Sequence, residues 1–418
     1  MIAVLVVLLP FLTAVALAGV ARWRIGAWVN ACASTTVFLL ASLLAAQREV
    51  AVPFLRVDAL AVHLVLLTGL VGTAAGWFRL AQAPGALGAG RLDRRRLRWG
   101  HALAQVQLGC TMLALLADAT FLVWLGLLAA SLAAVAATGL VQGRAAMLAA
   151  RRALVLGGIS LQLALFGMVL GSDVVSGRVA RMILELGYVG LAGLAPLFVW
   201  TQAAAKAPIL AAAQLGPLAA ASLAVLLRQR LGSAETDWLL VLLGLATPLL
   251  AALGPRPPDR RGAVALAGAA QCGVAAVAFG VGGTAAVTAG LLHLTLLVLT
   301  LAAARLAEDV SGRPAALTRA ASLAALAALP PFGLFGSAYL VAAAVIGRMP
   351  WLALPLGVGL LLNTRLMLAH IAAPGPAATT RSPIAPLLPA WVLLALVLGL
   401  GLFPAPILPW FAAMAVAR

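Results

Sequence analysis

The sequence predicts an all-α polytopic membrane protein, and three observations support this prediction. Hydrophobic residues make up 64% of the 418-residue chain and charged residues only 9%, whereas a soluble domain usually carries about a quarter charged residues. The mean hydropathy is +1.11. Apolar runs recur at about 20-residue length, which a helix needs to cross a hydrocarbon core of about 30 Å. Because the alternating pattern of barrel strands is absent, helices are the spanning structure that remains, and the whole chain, 1–418, is predicted to form one membrane domain.

The apolar runs predict about 14 spanning helices, with boundaries accurate to a few residues. They lie near 2–20, 27–46, 58–78, 100–117, 119–140, 153–171, 187–204, 207–227, 237–254, 262–281, 284–304, 315–345, 351–372 and 384–403. The first run is long and lacks a basic n-region, so we interpret it as a retained span and not as a cleaved signal.

The arginines predict the orientation of the chain in the membrane. Its net charge of +17 comes from arginines in short loops between the apolar runs, which is typical of topology signals and not of a nucleic-acid-binding surface. With the N-terminus outside, one face receives more than twice as many arginines as the other, including the run 91-RLDRRRLR-98. This bias predicts a bacterial inner-membrane protein whose two termini face the periplasm. The arginine-poor face receives Arg48, Arg56, Arg178, Arg181, Arg228, Arg230, Arg348 and Arg418.

The seventh and twelfth predicted spans contain residues that break helices. The stretch 195-APLFVWTQAAAKAPILAAAQLGP-217 includes Pro196 and Pro208, and 329-LPPFGLFG-336 includes Pro330, Pro331 and Gly333. Proline removes a backbone donor and clashes with the preceding turn, so we expect interruptions at both places, enclosed by neighbouring helices. Either break alone fits a packing kink equally well. The pair favours an internally repeated, transporter-like fold.

The chain carries no recognisable centre for chemistry of its own. It has no glycine-rich phosphate loop, no metal-ligand spacing and no serine–histidine–acid set. Cys32, Cys110 and Cys272 are isolated inside apolar runs and are expected to be small core residues. We therefore expect no catalytic residue, metal or cofactor in this chain, and any redox chemistry would belong to a partner.

Seven short segments, taken in order, resemble one superfamily along nearly the whole chain. They are 54-FLRVDALAVHLVLLTGLVG-72, 121-FLVWLGLLAAS-131, 161-LQLALFGMVL-170, 187-GYVGLAGLAPLFVW-200, 207-AP with 222-SLAVLLR-228, 291-LLHL-294 and 329-LPPFGLFGSAYL-340. The chain resembles the antiporter-like membrane subunits of respiratory complex I, Mrp-type cation/proton antiporters and energy-converting hydrogenases. Within that group it is most similar to the component F type of hydrogenase-4 and formate hydrogenlyase.

The resemblance implies 14 helices with two inverted five-helix repeats, each carrying a broken helix. In this chain the division would be N-terminal helices at 1–118, a first repeat at 119–254, a second at 255–372 and a C-terminal helix and tail at 373–418. It also implies a proton path, whose characteristic residues are missing here. The family's glutamate of the fifth helix falls on Leu128, its lysines of the seventh and eleventh helices on Leu191 and Leu301, and its acidic residue after the second break on Ala338.

A few ionisable groups remain as candidates for a proton path. His293 matches a family histidine, and Arg152 aligns with a family lysine, whereas Gln271 stands where the family has a histidine that titrates. Lys206 and Glu185 lie at the ends of the seventh span, and Arg365 lies in the thirteenth. For each of these groups a structural role is more frequent than a role in proton transfer. Such roles are a snorkelling anchor, a topology signal or a buried histidine with a hydrogen-bond partner. Arg56 and Asp58 are expected to pair at the mouth of the third span.

The sequence therefore predicts an antiporter-like subunit of a multisubunit, energy-converting redox complex, related to hydrogenase-4 or complex I. In this interpretation it is a scaffold whose proton path is degenerate or absent, and its partners are other membrane and peripheral subunits and membrane lipid. Two alternatives stay open. One is a working secondary transporter for protons, cations or inorganic carbon, which would need a hydrated cavity at mid-membrane. The other is a quinone- or lipid-binding module, which would need an apolar slot open to the bilayer.

Overall fold

The computed structural model describes residues 1–46, 53–88, 90, 93–141, 143–173, 177–231, 235–254, 257, 259–372 and 384–416. Five of the arginines used for orientation, Arg48, Arg91, Arg256, Arg381 and Arg418, lie outside these residues. The helices are α1 Ile2–Gly19, α2 Trp23–Ala46, α3 Ala59–Gly88, α4 Arg94–Leu116, α5 Thr120–Gly139, α6 Arg144–Asp173, α7 Gly177–Leu191, α8 Val199–Ala204, α9 Ile209–Ala213, α10 Leu215–Arg228, α11 Trp238–Leu253, α12 Arg260–Val281, α13 Thr284–Glu308, α14 Arg313–Leu326, α15 Gly333–Arg348, α16 Ala353–Ala372, α17 Leu388–Leu402 and α18 Leu408–Val416.

The predicted fold class is confirmed. In the part of the chain that the structure describes, ten helical segments are long and apolar enough to cross a membrane, and shorter apolar helices accompany them. No strand occurs in the described parts of the chain, which hold only one isolated bridge, between Leu55 and Ala117. The short helix α18 was not predicted, because the apolar pattern after 403 is interrupted by prolines.

The centre of the bundle is formed by α10, α12 and α13. The spanning windows of these helices are 94%, 100% and 89% buried, whereas those of α1, α2, α6, α16 and α17 are buried to less than two-fifths. Alanine and glycine dominate α12, and small side chains let helix backbones approach closely inside a membrane. Any polar group on the three central helices is therefore enclosed by protein and needs a partner there.

Both predicted breaks are present, and the two are built alike. Helix α7 ends at a positive-φ residue, Gly193 (φ 83°), and α14 ends in the same way at Ala328 (φ 53°). The amide of the following residue reaches back five positions in each case, from Leu194 to Val189 O and from Leu329 to Ala324 O, both at 3.1 Å. This bond closes a Schellman-type helix end, which uses a left-handed residue at that position. The shared geometry at the seventh and twelfth spans matches the predicted placement of the breaks.

The prediction that neighbouring helices enclose both breaks is only partly correct. At the first break Leu194 and Ala195 are buried, although Pro196 is exposed. At the second break the side chains of Pro330 and Pro331 are exposed, whereas Gly333 is buried. The expectation was wrong for Pro330 and Pro331 because α17 packs against the start of α15, where Gly333 meets Gly401, and not against the turn that precedes it.

Charged and polar side chains near the helix ends contact residues at the same predicted membrane face. Arg56 Nε lies 3.0 Å from Asp58 Oδ2, which confirms the predicted pair, and Arg228 Nη2 lies 3.4 Å from the other carboxylate oxygen. On the opposite side Gln82, which accepts a hydrogen bond from Arg79, donates one to the carbonyl of Asp309. Each cluster thus joins residues assigned to one face.

Candidate functional site

The proton-path candidate His293 is buried between α13 and α15. Its Nδ1 lies 2.9 Å from Oγ of Ser337, and that hydroxyl lies 3.2 Å from the carbonyl of Leu334. The hydroxyl can accept from Nδ1–H while it donates to this carbonyl. Nε2 is buried without a hydrogen-bond partner of normal geometry, and the backbone of Gln271 lies close to the ring. The histidine therefore joins the central helix to the helix that follows the second break, and no titratable neighbour holds its free nitrogen.

A second buried histidine, His63, was not singled out from the sequence. Its Nε2 lies 2.8 Å from Oγ1 of Thr295, whose own hydroxyl donates to the carbonyl of Leu291 at 2.7 Å. The ring also packs edge-on against Phe411, with centroids 4.9 Å apart. His63 therefore joins α3, α13 and α18. The sequence signal was a histidine inside an otherwise apolar span, directly before the apolar run 64-LVLL-67 of α3.

Between His293 and Arg305, helix α13 carries no titratable side chain. With a rise of about 1.5 Å per residue, these two residues are about 18 Å apart along the axis. The polar side chain that lies on the same face as His293, two turns further on, is Thr300, and its hydroxyl is used to donate to the carbonyl of Leu296 at 2.7 Å. A proton moving along α13 would therefore meet no titratable group before it reached Arg305.

Leu301, which the resemblance predicts to stand at a family lysine position, lines a small cavity of about 30 Å³. Most of the wall consists of small apolar side chains, including Ala192, Gly268 and Cys272, and Arg305 closes one end. A cavity of this size holds about one water molecule. The space that a lysine would fill in a family member is thus nearly closed here.

The other three family positions are also occupied by packed apolar side chains. Leu191 is fully buried at the end of α7, and Ala338 is buried one residue after Ser337. Leu128 is half-buried and packs against the main core cluster. None of these side chains can take up or release a proton.

The remaining predicted candidates do not converge on one place. Glu185 is buried next to Asp237, beside which Arg230 Nη1 lies at 3.8 Å. Lys206 is half-buried between α8 and α9, whereas Arg152 and Arg365 are exposed. The structure therefore places Glu185 in a small charged cluster at one end of the bundle and leaves the two arginines on the outer surface.

A buried charged cluster at the far end of α13 was missed by the sequence analysis. Helix α13 continues past the predicted end of its span at 304, and this extension carries Arg305 and Glu308 into the protein. Glu308 Oε2 lies 3.7 Å from Arg305 Nη1 and 3.6 Å from Arg261 Nε, and Arg261 also pairs with Asp309. The sequence feature that could have indicated this cluster is the small number of acidic residues. The chain has only 11 of them, and two, Glu308 and Asp309, lie just after an apolar span.

Backbone groups freed by the two breaks are capped by neutral side chains. At the second break the carbonyl of Leu326 accepts from Gln271 Nε2 at 2.9 Å and from Asn363 Nδ2 at 3.0 Å. At the first break Trp200 Nε1 donates to the carbonyl of Gly190 at 2.9 Å, and Thr247 Oγ1 accepts from the amide of Ala195 at 2.9 Å. Carbonyls that already hold two donors have little capacity left to coordinate an ion.

Comparison of the whole sequence with curated proteins finds one related protein. It is the hydrogenase-4 component F homolog of Methylacidiphilum infernorum (isolate V4), which is 28% identical over 414 residues, covering 86% of this chain and 87% of that protein. No protein-family model matches the chain.

The fold is shared with chains of three membrane complexes of known structure. A chain of the Mrp complex from Dietzia sp. DQ12-45-1b superposes with a TM-score of 0.80 at 19% identity, covering 99% of this chain and 96% of the other. A chain of the membrane-bound sulfane sulfur reductase, an archaeal respiratory complex, gives 0.82 at 17% identity over 99% and 97%. A chain of respiratory complex I from Thermus thermophilus gives 0.76 at 21% identity over 98% and 100%. The protein therefore has the antiporter-like fold found in Mrp and complex I, and in sequence it is similar to hydrogenase-4 component F.

Proposed function

We propose that this chain is an antiporter-like membrane subunit of a multisubunit, energy-converting redox complex of the hydrogenase-4 or complex I kind. In this proposal it acts as a scaffold and does not itself carry a proton across the membrane. The complex lies in a bacterial inner membrane, with both termini of this subunit on the periplasmic side. Its sequence relative and the fold of its neighbours support the setting, and the interior of this chain supports the scaffold role.

The observation that carries the scaffold role is the stretch of α13 between His293 and Arg305, which has no titratable side chain. Charge transfer through hydrocarbon needs ionisable side chains or water at short intervals, because an isolated charge there is costly. The hydroxyl of Thr300 in this stretch is bonded to the helix backbone, and the space beside Leu301 is about 30 Å³. A chain of water molecules would not fit in that space.

The alternative of a working transporter would use His293, Lys206 and freed backbone carbonyls. Two features argue against it. The carbonyl of Leu326 at the second break is capped by amide side chains, and His293 has its Nδ1 engaged by Ser337. A transported ion would have to displace these bonds without a charged group to replace them.

Isolation of the native assembly tests the proposed setting. We expect an affinity-tagged chain, extracted in a mild detergent, to be purified in fixed stoichiometry with further membrane subunits and with peripheral redox subunits, as identified by mass spectrometry. An equally tagged polytopic protein from the same membrane serves as the control. If the chain is instead recovered as a stable monomer that exchanges ions in liposomes, the transporter alternative is correct and the proposal is wrong.

A further inference from the structure

The cytoplasmic ends of α3, α4, α5, α12 and α13, as assigned by the arginine bias, surround a cavity of about 490 Å³. This cavity is separate from the small space at Leu301 and is large enough for a small polyatomic ligand. Its polar wall is unusually rich in charge for a membrane protein. The charged residues that line it are Arg79, Arg96, Arg261, Glu308 and Asp309.

The two carboxylates that line the cavity form ion pairs with two arginines, one on α12 and one on α13. Arg261 lies against both Glu308 and Asp309, and Arg305 lies 3.7 Å from Glu308 and donates to the carbonyl of Arg261 at 2.8 Å. Within the described residues, no carboxylate oxygen lies within ion-pair distance of Arg79 or Arg96. Asp309, the carboxylate that acts on Arg79 from the same wall, is already paired with Arg261, so neither arginine has an ion-pair partner of its own among the described residues.

Arg79 is the more deeply placed of these two cations. Its side chain is 5% exposed, its Nη1 donates to Gln82 Oε1 at 2.6 Å, and its Nε is buried without a hydrogen-bond partner. His101 lies close enough to feel the charge of Arg79, is 1% exposed, and has neither ring nitrogen hydrogen-bonded. Unpaired donors and a buried cation are costly, and a bound anion would relieve both costs.

We propose that this cavity binds an oxyanion of the phosphate class between Arg79 and Arg96. A guanidinium group presents a planar fork of N–H donors that matches two oxygens of a phosphate, whereas a monatomic anion would leave most of the cavity empty. Arg96 is half-buried at the start of α4, so it is the more accessible of the two arginines. The same chemistry is presented by free phosphate and by the headgroup of an anionic phospholipid.

Binding of radiolabelled inorganic phosphate to the purified, lipid-depleted complex tests this site. We expect saturable binding of one phosphate per chain at constant ionic strength. Substitution Arg96→Gln should weaken it roughly tenfold or more, which is the usual effect of losing one charge-assisted contact. Arg79→Gln should abolish it, and Arg152→Gln, an exposed arginine of the same predicted face, should leave it unchanged. Because Arg96 is half-buried, its variant decides the question if Arg79→Gln does not fold.

A second arm identifies the source of the oxyanion. In nanodiscs that contain both phosphatidylglycerol and phosphatidylcholine, native mass spectrometry measures which lipid stays bound. Retention of phosphatidylglycerol by the wild type and its loss in Arg96→Gln, without binding of free phosphate, assigns the site to a headgroup and supports the proposal. If neither phosphate nor phosphatidylglycerol binds, or if both bind equally to wild type and to Arg96→Gln, the proposal is wrong.

Discussion

Substitution Gly167→Val is expected to abolish stable folding of the chain, because α6 and α7 meet there backbone to backbone. A Cβ atom on Gly167 would lie 2.4 Å from the amide nitrogen of Leu184, and one on Gly187 would lie 2.3 Å from that of Ala164. Neither helix backbone can yield without separating the pair. Helix α7 leads directly into the first break, so separation would also displace Leu191 and Gly193. We expect a loss of about 3 kcal/mol or more, at the upper end of the range for overpacking.

The matched control is Gly158→Val, which lies on the same helix and has no atom within 4 Å of its added Cβ. Both substitutions change the helix propensity of α6 equally, so the difference between them reports the clash alone. Fluorescence-detected size exclusion of the detergent extract measures the folded fraction, and a thermal ramp measures its midpoint. Equal yields and midpoints for the two variants would show that α6 and α7 are further apart than described.

Substitution Leu301→Lys is expected to have the next largest effect, because it places a lysine, predicted for this position by the resemblance, in a centre that cannot accept it. The cavity at this position holds about 30 Å³, and Arg305 lies one turn away, where like charges repel each other. A lysine at the middle of a span costs about 3 kcal/mol even when it can relax towards water. The variant should therefore lower the thermal midpoint of the chain and its incorporation into the complex.

Leu301→Met is the control for this experiment, since it keeps an apolar side chain of similar volume and should cost little. The comparison separates the charge of the lysine from the loss of leucine packing. If Leu301→Lys assembles with the yield and midpoint of Leu301→Met, the centre of the protein is hydrated, which is what the transporter alternative requires.

Much of the fold could be predicted because the membrane imposes strict rules on sequence. Spans must be apolar for about 20 residues, and proline interrupts them, so Pro196 and Pro330 marked both breaks. The pair Arg56–Asp58 was predictable because the two residues lie two positions apart at the mouth of a span. Helix α18 was not predictable in the same way, because it is shorter than a span and packs its Phe411 against His63.

The charged cluster at the end of α13 could not be predicted from the hydropathy pattern. The hydropathy pattern predicts that a span ends at the first charged residue after an apolar run. It therefore predicts Arg305 to be a topology signal outside the span. In the structure the helix continues to Glu308, and both charges turn inward to meet Arg261. Long-range pairs of this kind join residues more than 40 positions apart, which local periodicity cannot relate.

The central claim is that the chain keeps the antiporter-like fold but does not carry a proton. Proton uptake per turnover by vesicles that contain the assembled complex tests it most directly. His293→Ala and Lys206→Ala are compared with the wild type, and Arg151→Gln, at an exposed arginine that is not a proton-path candidate, serves as the control. We predict the same number of protons per turnover in all four, with His293→Ala lowering only the stability of the complex. A fall by about one subunit's share in His293→Ala or Lys206→Ala, with assembly intact, would contradict the claim.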